Sequence, residues 1–298
     1  MKKVNKNGSI KRLPDGSVVV TVTKKPWGDL PGVSCLNPDV LEKDRIYQKT
    51  FKQKKIYLPH EFDKAIEEVM AQTDSVALSM NGYSQITDEQ CKRYGVQPGA
   101  YEEACSAILR EAIVRLKKTF SGANLKLVYG ASDTGVDRAI EVVAREFNLT
   151  MLGFSCPEFM MYVKDDDVPV YVAKTIDEYA DAYIRSLDLL IATGGRDHAL
   201  KHDIAASCIY NKRIHFIDVL NSLSSTGGVP ATISDGKGGY KVDNAAAAFG
   251  RNISFFSRED AVANMPNSGD KWDAIFANVN SVAIEVCRAK MSPARKFK

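Results

Sequence analysis

The sequence predicts an α/β fold, a three-layer parallel sheet of about five strands with additions at both ends of the chain. Three observations carry that prediction. Short apolar runs alternate with helical patterns from Ser75 to Val219, the rhythm of βαβ units. The runs are continuously apolar rather than alternating, as expected when helices cover both faces of a sheet. Two of them stop at a glycine turn that hands over at once to a helical pattern: Val128-Tyr129-Gly130 before Val136, and Ile191-Ala192-Thr193-Gly194-Gly195 before His198.

The five strands fall at 76–80, 125–129, 151–154, 188–192 and 213–219. Between them, residues 101–120 read as a helix with Tyr101, Cys105, Ile108, Leu109, Ala112, Ile113 and Leu116 on one stripe. The helix after Gly135 buries Val136, Ala139, Ile140, Val143, Ala144 and Phe147. Thr175 and Glu178 stand at capping-box spacing before a helix to about 187, and 198–210 reads as another. Residues 81–99 read as a polar loop and 158–172 as irregular.

Outside this block the rhythm changes. Leu13-Pro14-Asp15-Gly16-Ser17 supplies a hairpin turn before a β-branched strand at 18–23. Prolines and glycines between 25 and 50 argue for loop. A short strand at 54–58 follows. Pro59 then opens a helix with Phe62, Ile66, Val69 and Met70 on one face. The glycine-rich stretch 221–252 reads as an excursion, followed by a strand at 253–256 and a final amphipathic helix from Asp270. The expected division is an N-terminal extension, 1–73, a central α/β domain, 74–220, and a C-terminal addition, 221–298, packing on that domain.

At 298 residues the chain can bury a large core. Its 45% apolar and 26% charged content is ordinary for a soluble protein. A net charge of +3 neither demands nucleic acid nor excludes it. The six cysteines are scattered, with no close C-x-x-C pair, which argues against a zinc ribbon or a disulfide framework and for a reducing compartment. No secretory signal and no run of about 20 apolar residues is present. A cytoplasmic protein without a membrane anchor is expected.

The candidate site is the carboxyl edge of the sheet, where doubly wound folds bind ligands. Three turns meet there: Gly82-Tyr83-Ser84, Gly130-Ala131-Ser132-Asp133-Thr134-Gly135, and Thr193-Gly194-Gly195-Arg196. Glycine lets backbone approach a phosphate, and a helix N-terminus offers free N–H groups at the positive end of a dipole. Ser84, Ser132, Thr134 and Thr193 add hydroxyls. Arg138 and Arg196 add bidentate countercharge. His198, one turn into its helix, is a hydrogen-bond candidate for the ligand. Asp133 is a ligand-binding candidate, and Asp137 and Asp197 are the candidate acids or bases for an N-glycosidic bond. The ordinary readings of the first two are an N-cap for Asp133 and a dipole partner for Asp137. Neither turn is a Walker A loop or a strict G-x-G-x-x-G, which argues against a nucleoside triphosphatase and a standard dehydrogenase.

The Val128-Tyr129-Gly130 turn followed by Gly135, and Gly135-Val136-Asp137-Arg138-Ala139 as a G-x-D-x-A form, resemble the glycine-rich element of the SLOG superfamily of Rossmann-like proteins. The resemblance covers about 74–220. Gly82-Tyr83-Ser84 is similar to the family's Gly-Ser turn and Thr193-Gly194-Gly195 to its Pro-Gly-Gly turn. It implies a Rossmann-like sheet, a nucleotide or nucleotide-derived ligand and a homo-oligomer. Three activities occur among such proteins: N-glycosidic cleavage of a nucleotide as in LOG phosphoribohydrolases, non-catalytic sensing, and DprA-like nucleic-acid binding. The chain departs from the LOG pattern where that family continues into catalytic glutamates, since Arg196-Asp197-His198-Ala199-Leu200-Lys201 contains none. No cofactor is expected. Asp165-Asp166-Asp167 is a candidate for a divalent cation, with a solvated turn as the ordinary reading, and no protein metal ligands are assigned.

Overall fold

A computed structural model describes residues 8–23, 33–36, 45–71, 75–84, 86–194, 209–217, 219–225, 232–234, 240–242, 253–256 and 268–291. The first strands, β1 (Gly8–Arg12) and β2 (Val18–Val22), form the expected antiparallel hairpin. β3 (Ser34–Cys35) and β4 (Tyr47–Phe51) complete a four-stranded antiparallel sheet of order β1-β2-β4-β3. In the stretch 25–50 that its breakers suggested was loop, β3 lies between Gly32 and Pro38, and β4 follows the last breaker, Pro38. β5 (Ile56–Tyr57) leads into α1 (Phe62–Ala65), which continues as a π turn, Ile66–Met70.

The central block follows as β6 (Ser75–Asn81), α2 (Asp88–Tyr94), α3 (Ala100–Thr119), β7 (Asn124–Tyr129), α4 (Gly135–Glu146), β8 (Thr150–Ser155), β9 (Val170–Val172), α5 (Ile176–Arg185), β10 (Leu189–Ala192) and β11 (Arg213–Ile217). A short α6 (Val219–Leu223) comes next. β12 (Thr232–Ser234) and β13 (Tyr240–Val242) then pair antiparallel inside the expected excursion, and β14 (Ile253–Phe256) and α7 (Ser268–Met291) close the chain.

The main sheet has order β14-β11-β10-β6-β7-β8-β9-β5, and every pairing in it is parallel. The five strands that the sequence predicts form its middle, β11-β10-β6-β7-β8. Numbered by their position in the chain this is the 3-2-1-4-5 order of a doubly wound, Rossmann-like sheet. Two edge strands, β14 and β5, were legible as short apolar runs. β9 was not: three residues between Pro169 and Ala173 carry too little periodicity to stand out.

Successive residues of each strand face opposite layers. Val76, Leu78 and Met80 of β6 and Leu125, Leu127 and Tyr129 of β7 join α3, α4 and α7 in one core. Ala77, Val128, Leu152, Phe154, Leu190 and Ala192 face the other side, against Ala65 and Met70 and against Ala182, Tyr183 and Ile184 of α5. α7 lies along α3, with Ile275, Val279, Ala283 and Cys287 buried.

The N-terminal sheet is tied to the main one through the acidic run. Asp165 accepts the backbone N–H groups of Lys52, Gln53 and Lys54 at 2.9, 3.0 and 2.9 Å. The Lys54 ammonium pairs with Asp166 and donates to the Val168 carbonyl at 2.8 Å. Burial lowers the pKa of that ammonium, and the Asp166 contact opposes the shift. Asp165 and Asp166 are thus engaged by the chain's own donors.

Asp165→Ala is expected to cost about 1–2 kcal/mol, because three amides lose one shared acceptor. Burial by itself would raise the Asp165 carboxyl, but the amides of Lys52, Lys54 and Gln53 outweigh it and hold the group below the usual carboxylate range. A depressed folded-state value means stabilisation that is present above about pH 4 and lost as the pH falls. Urea unfolding at pH 7 and pH 3 checks this. The gap between wild type and variant should narrow at pH 3, and an equal gap at both values would contradict it.

Candidate functional site

β6 leads one way to β7, β8 and β9, and after α5 the chain returns to β10 on the other side of β6. The strand order therefore reverses between β6 and β10. That switch point is where a doubly wound sheet opens a crevice, and here side chains close it. Tyr101, at the start of α3, reaches in with its ring edge-to-face on Tyr83 at 5.6 Å. The Tyr83 N–H donates to the Tyr101 hydroxyl at 2.9 Å. The Tyr101 hydroxyl lies 2.7 Å from Thr193 Oγ1, which itself donates to the Asn81 carbonyl at 2.7 Å. The order of donors makes Tyr101 the donor to Thr193. Burial pushes the Tyr101 hydroxyl well above its ordinary value, so it stays protonated. Gly82 and Gly194 make room for this arrangement. A Cβ on Gly82 would stand 2.0 Å from the Tyr101 hydroxyl, and one on Gly194 (φ +99°) 3.2 Å from the Tyr83 ring. Gly82, Thr193 and Gly194 are therefore built into the closure of the switch point.

The second turn is held from behind by Asp137. Its carboxylate accepts the Gly130 N–H at 2.8 Å, the Ser132 N–H at 3.2 Å and the Ser132 hydroxyl at 2.6 Å. Burial raises its pKa, and the three hydrogen bonds oppose the rise. Gly130 is glycine because a Cβ would lie 2.7 Å from Asp137 Oδ2. The G-x-D spacing seen in the sequence is thus a brace: an acid in the first turn of α4 reaches back to fix the loop that precedes the helix.

In front of that turn lies a cleft of about 690 Å³. Ser84, Asp133, Thr134, Gly135 and Arg138 line it. Asp88, Glu102, Glu103, Ser106 and Arg110 also line it, among other residues. α3 and α4 both begin at this cleft, and neither has a side-chain cap: their N-caps are Gly99 and Thr134. Among the amides that open α4, Val136 N–H donates to the Tyr83 carbonyl at 3.1 Å. Arg110 is clamped by Glu146, with Nε 2.9 Å from each carboxylate oxygen, and Asp133 pairs with Lys164 at 2.5 Å. Arg138 is exposed and, among the described residues, is in no ion pair.

The structure thus gathers Ser84, Asp133, Thr134, Gly135 and Arg138 on one cleft, with Gly130, Ser132 and Asp137 forming the braced turn beside it. Gly195, Arg196, Asp197 and His198 lie outside the described residues. Asp88, which also lines the cleft, was missed because 81–99 read as loop. A signal for it was present. Thr87 and Gln90 form a capping box at α2, and Gly95 ends that helix in the left-handed conformation.

Among the described residues, no group of three His, Cys, Asp or Glu side chains is placed to hold a metal ion. No described helix is long and apolar enough to cross a membrane.

No protein-family model matches the chain, and no curated protein matches it. Among solved structures the chain is similar to TM1055, a Northeast Structural Genomics Consortium target. The identity is 18%, over 63% of this chain and 96% of that one, with a TM-score of 0.35. It is also similar to the molybdenum cofactor binding protein from the phototrophic bacterium Rippkaea orientalis. There the identity is 11%, over 70% of this chain and 98% of that one, with a TM-score of 0.37. The architecture of the present chain rests on its own strand pairings.

Proposed function

We propose that the protein binds a nucleotide or nucleotide-derived metabolite at the carboxyl edge of its parallel sheet. The observation that carries this reading is the convergence of two helix N-termini without side-chain caps on one cleft of nucleotide size. The phosphate would rest on the turn Asp133-Thr134-Gly135, with Ser84 beside it and Arg138 as countercharge. Binding without hydrolysis is the favoured form, because the Asp137 carboxylate is engaged by Gly130 and Ser132 rather than facing a ligand. Glycosidic cleavage is the second reading, since Asp133 still lines the cleft.

Thermal shift against AMP, ADP-ribose, NAD and cyclic nucleotides tests the proposal. A ligand at 100 times its Kd should stabilise the fold by about 2.7 kcal/mol. No stabilisation by any of them would overturn the reading. Chromatography of the incubated ligand separates cleavage from sensing. Arg138→Ala is expected to weaken binding about tenfold, or ~1.4 kcal/mol, without changing the melting temperature of the free protein. Unchanged affinity would remove Arg138 from the site.

A further inference from the structure

A lysine from another part of the chain reaches the turn that opens α4. Lys164 stands between β8 and β9, and its Nζ lies 2.5 Å from Oδ1 of Asp133. Asp133 lines the cleft and directly precedes Thr134, the N-cap of α4. The chain on either side of Lys164 is fixed. The Lys49 ammonium of β4 donates to the Met161 and Val163 carbonyls at 3.2 and 2.5 Å. Asp165 holds the amides of Lys52, Gln53 and Lys54, and Asp166 pairs with Lys54. The backbone of Lys164 is thus anchored to the N-terminal sheet, while its side chain, 53% exposed, keeps its freedom. Arg110, which also lines the cleft, is already occupied by Glu146.

An anion seated on the turn Asp133-Thr134-Gly135 would meet the Asp133 carboxylate as a like charge, and Lys164 is the group that offsets it. An exposed ion pair of this kind adds little to the stability of a fold. The flexible four-carbon stem of a lysine also lets its ammonium exchange one anion for another. Resting on the nucleotide reading above, we propose that Lys164 is a binding residue of this cleft, held in reserve by Asp133. In the empty cleft Asp133 holds the ammonium. When the ligand's phosphate arrives, the ammonium passes to it, and Asp133 competes with the ligand for the same cation. The two residues therefore set the affinity in opposite directions: the lysine raises it and the aspartate lowers it. The segment between β8 and β9 joins the site in this way, carried by its anchors on the N-terminal sheet.

The test is isothermal titration calorimetry on the full chain with AMP and, separately, ADP-ribose. Lys164→Gln should weaken binding about tenfold, and Lys164→Arg should restore it to within about twofold of wild type. Asp133→Asn should tighten binding about threefold, because the lysine is released and the repulsion removed. The double variant Lys164→Gln/Asp133→Asn should bind more weakly than Asp133→Asn alone. The gap between wild type and Lys164→Gln should narrow when NaCl is raised from about 20 mM to about 300 mM, as a direct charge contact requires. Circular dichroism melts establish that the variants are folded. Lys164→Gln binding within twofold of wild type would overturn the proposal and leave the nucleotide reading standing. So would an Asp133→Asn protein that binds as weakly as Lys164→Gln, since the pair would then shape the turn rather than compete with the ligand. A wild-type protein that binds neither compound would overturn both readings together.

Discussion

Replacing Gly82 with alanine is expected to destabilise the protein by about 3 kcal/mol or more. The new Cβ would stand 2.0 Å from the Tyr101 hydroxyl and 2.3 Å from Thr193 Oγ1. Neither neighbour has somewhere to go. Tyr101 is 1% exposed and Thr193 is fully buried, and each is held by the hydrogen bonds that link Tyr83, Tyr101, Thr193 and Asn81. Moving the tyrosine would leave buried donors and acceptors unpaired, at about 1–3 kcal/mol for each group. Urea unfolding measures the loss. Adding Tyr101→Phe removes the nearer of the two atoms in the way, so the double variant should be more stable than the sum of the two single effects, by roughly 0.5–3 kcal/mol. A Gly82→Ala protein within about 1 kcal/mol of wild type would show that the switch point is not closed in this way.

Gly135→Ala is expected to be nearly as damaging, for a different reason. Gly135 opens α4 at φ +54°, and its Cβ would stand 2.1 Å from the Tyr83 carbonyl oxygen and 2.6 Å from the Ser84 carbonyl carbon. Those are backbone atoms, which no rotamer change can move. The turn after β6 would have to lift off the helix, breaking the bond from Val136 N–H to Tyr83. We expect a loss of about 3 kcal/mol, together with loss of nucleotide binding, since Ser84 and Gly135 line the cleft. Gly99→Ala is the control. It has φ +82° but nothing within 4 Å of a Cβ, so it should cost only the left-handed strain, about 1 kcal/mol. Equal losses at Gly99 and Gly135 would mean that strain, not the crossing of Tyr83 and Ser84, sets the Gly135 effect.

Both glycines stand in turns that the sequence marks as ligand-binding, and in both the crowding comes from the protein itself. A glycine read from sequence says that a side chain is unwelcome. It does not say whether a phosphate or a tyrosine excludes it. Asp137 carries the same lesson. Its position two residues after Gly135 was legible, but the direction of its carboxylate depends on where the 130–132 loop returns.

The alternation of apolar runs with helical patterns was enough to read the parallel sheet and its five central strands. Those properties are local: periodicity and glycine turns report on residues a few positions apart. The strand order and the closing of the switch point by Tyr83 and Tyr101 are not local. They join residues such as Asn81 and Thr193 that are far apart in the chain and meet only because β10 returns beside β6.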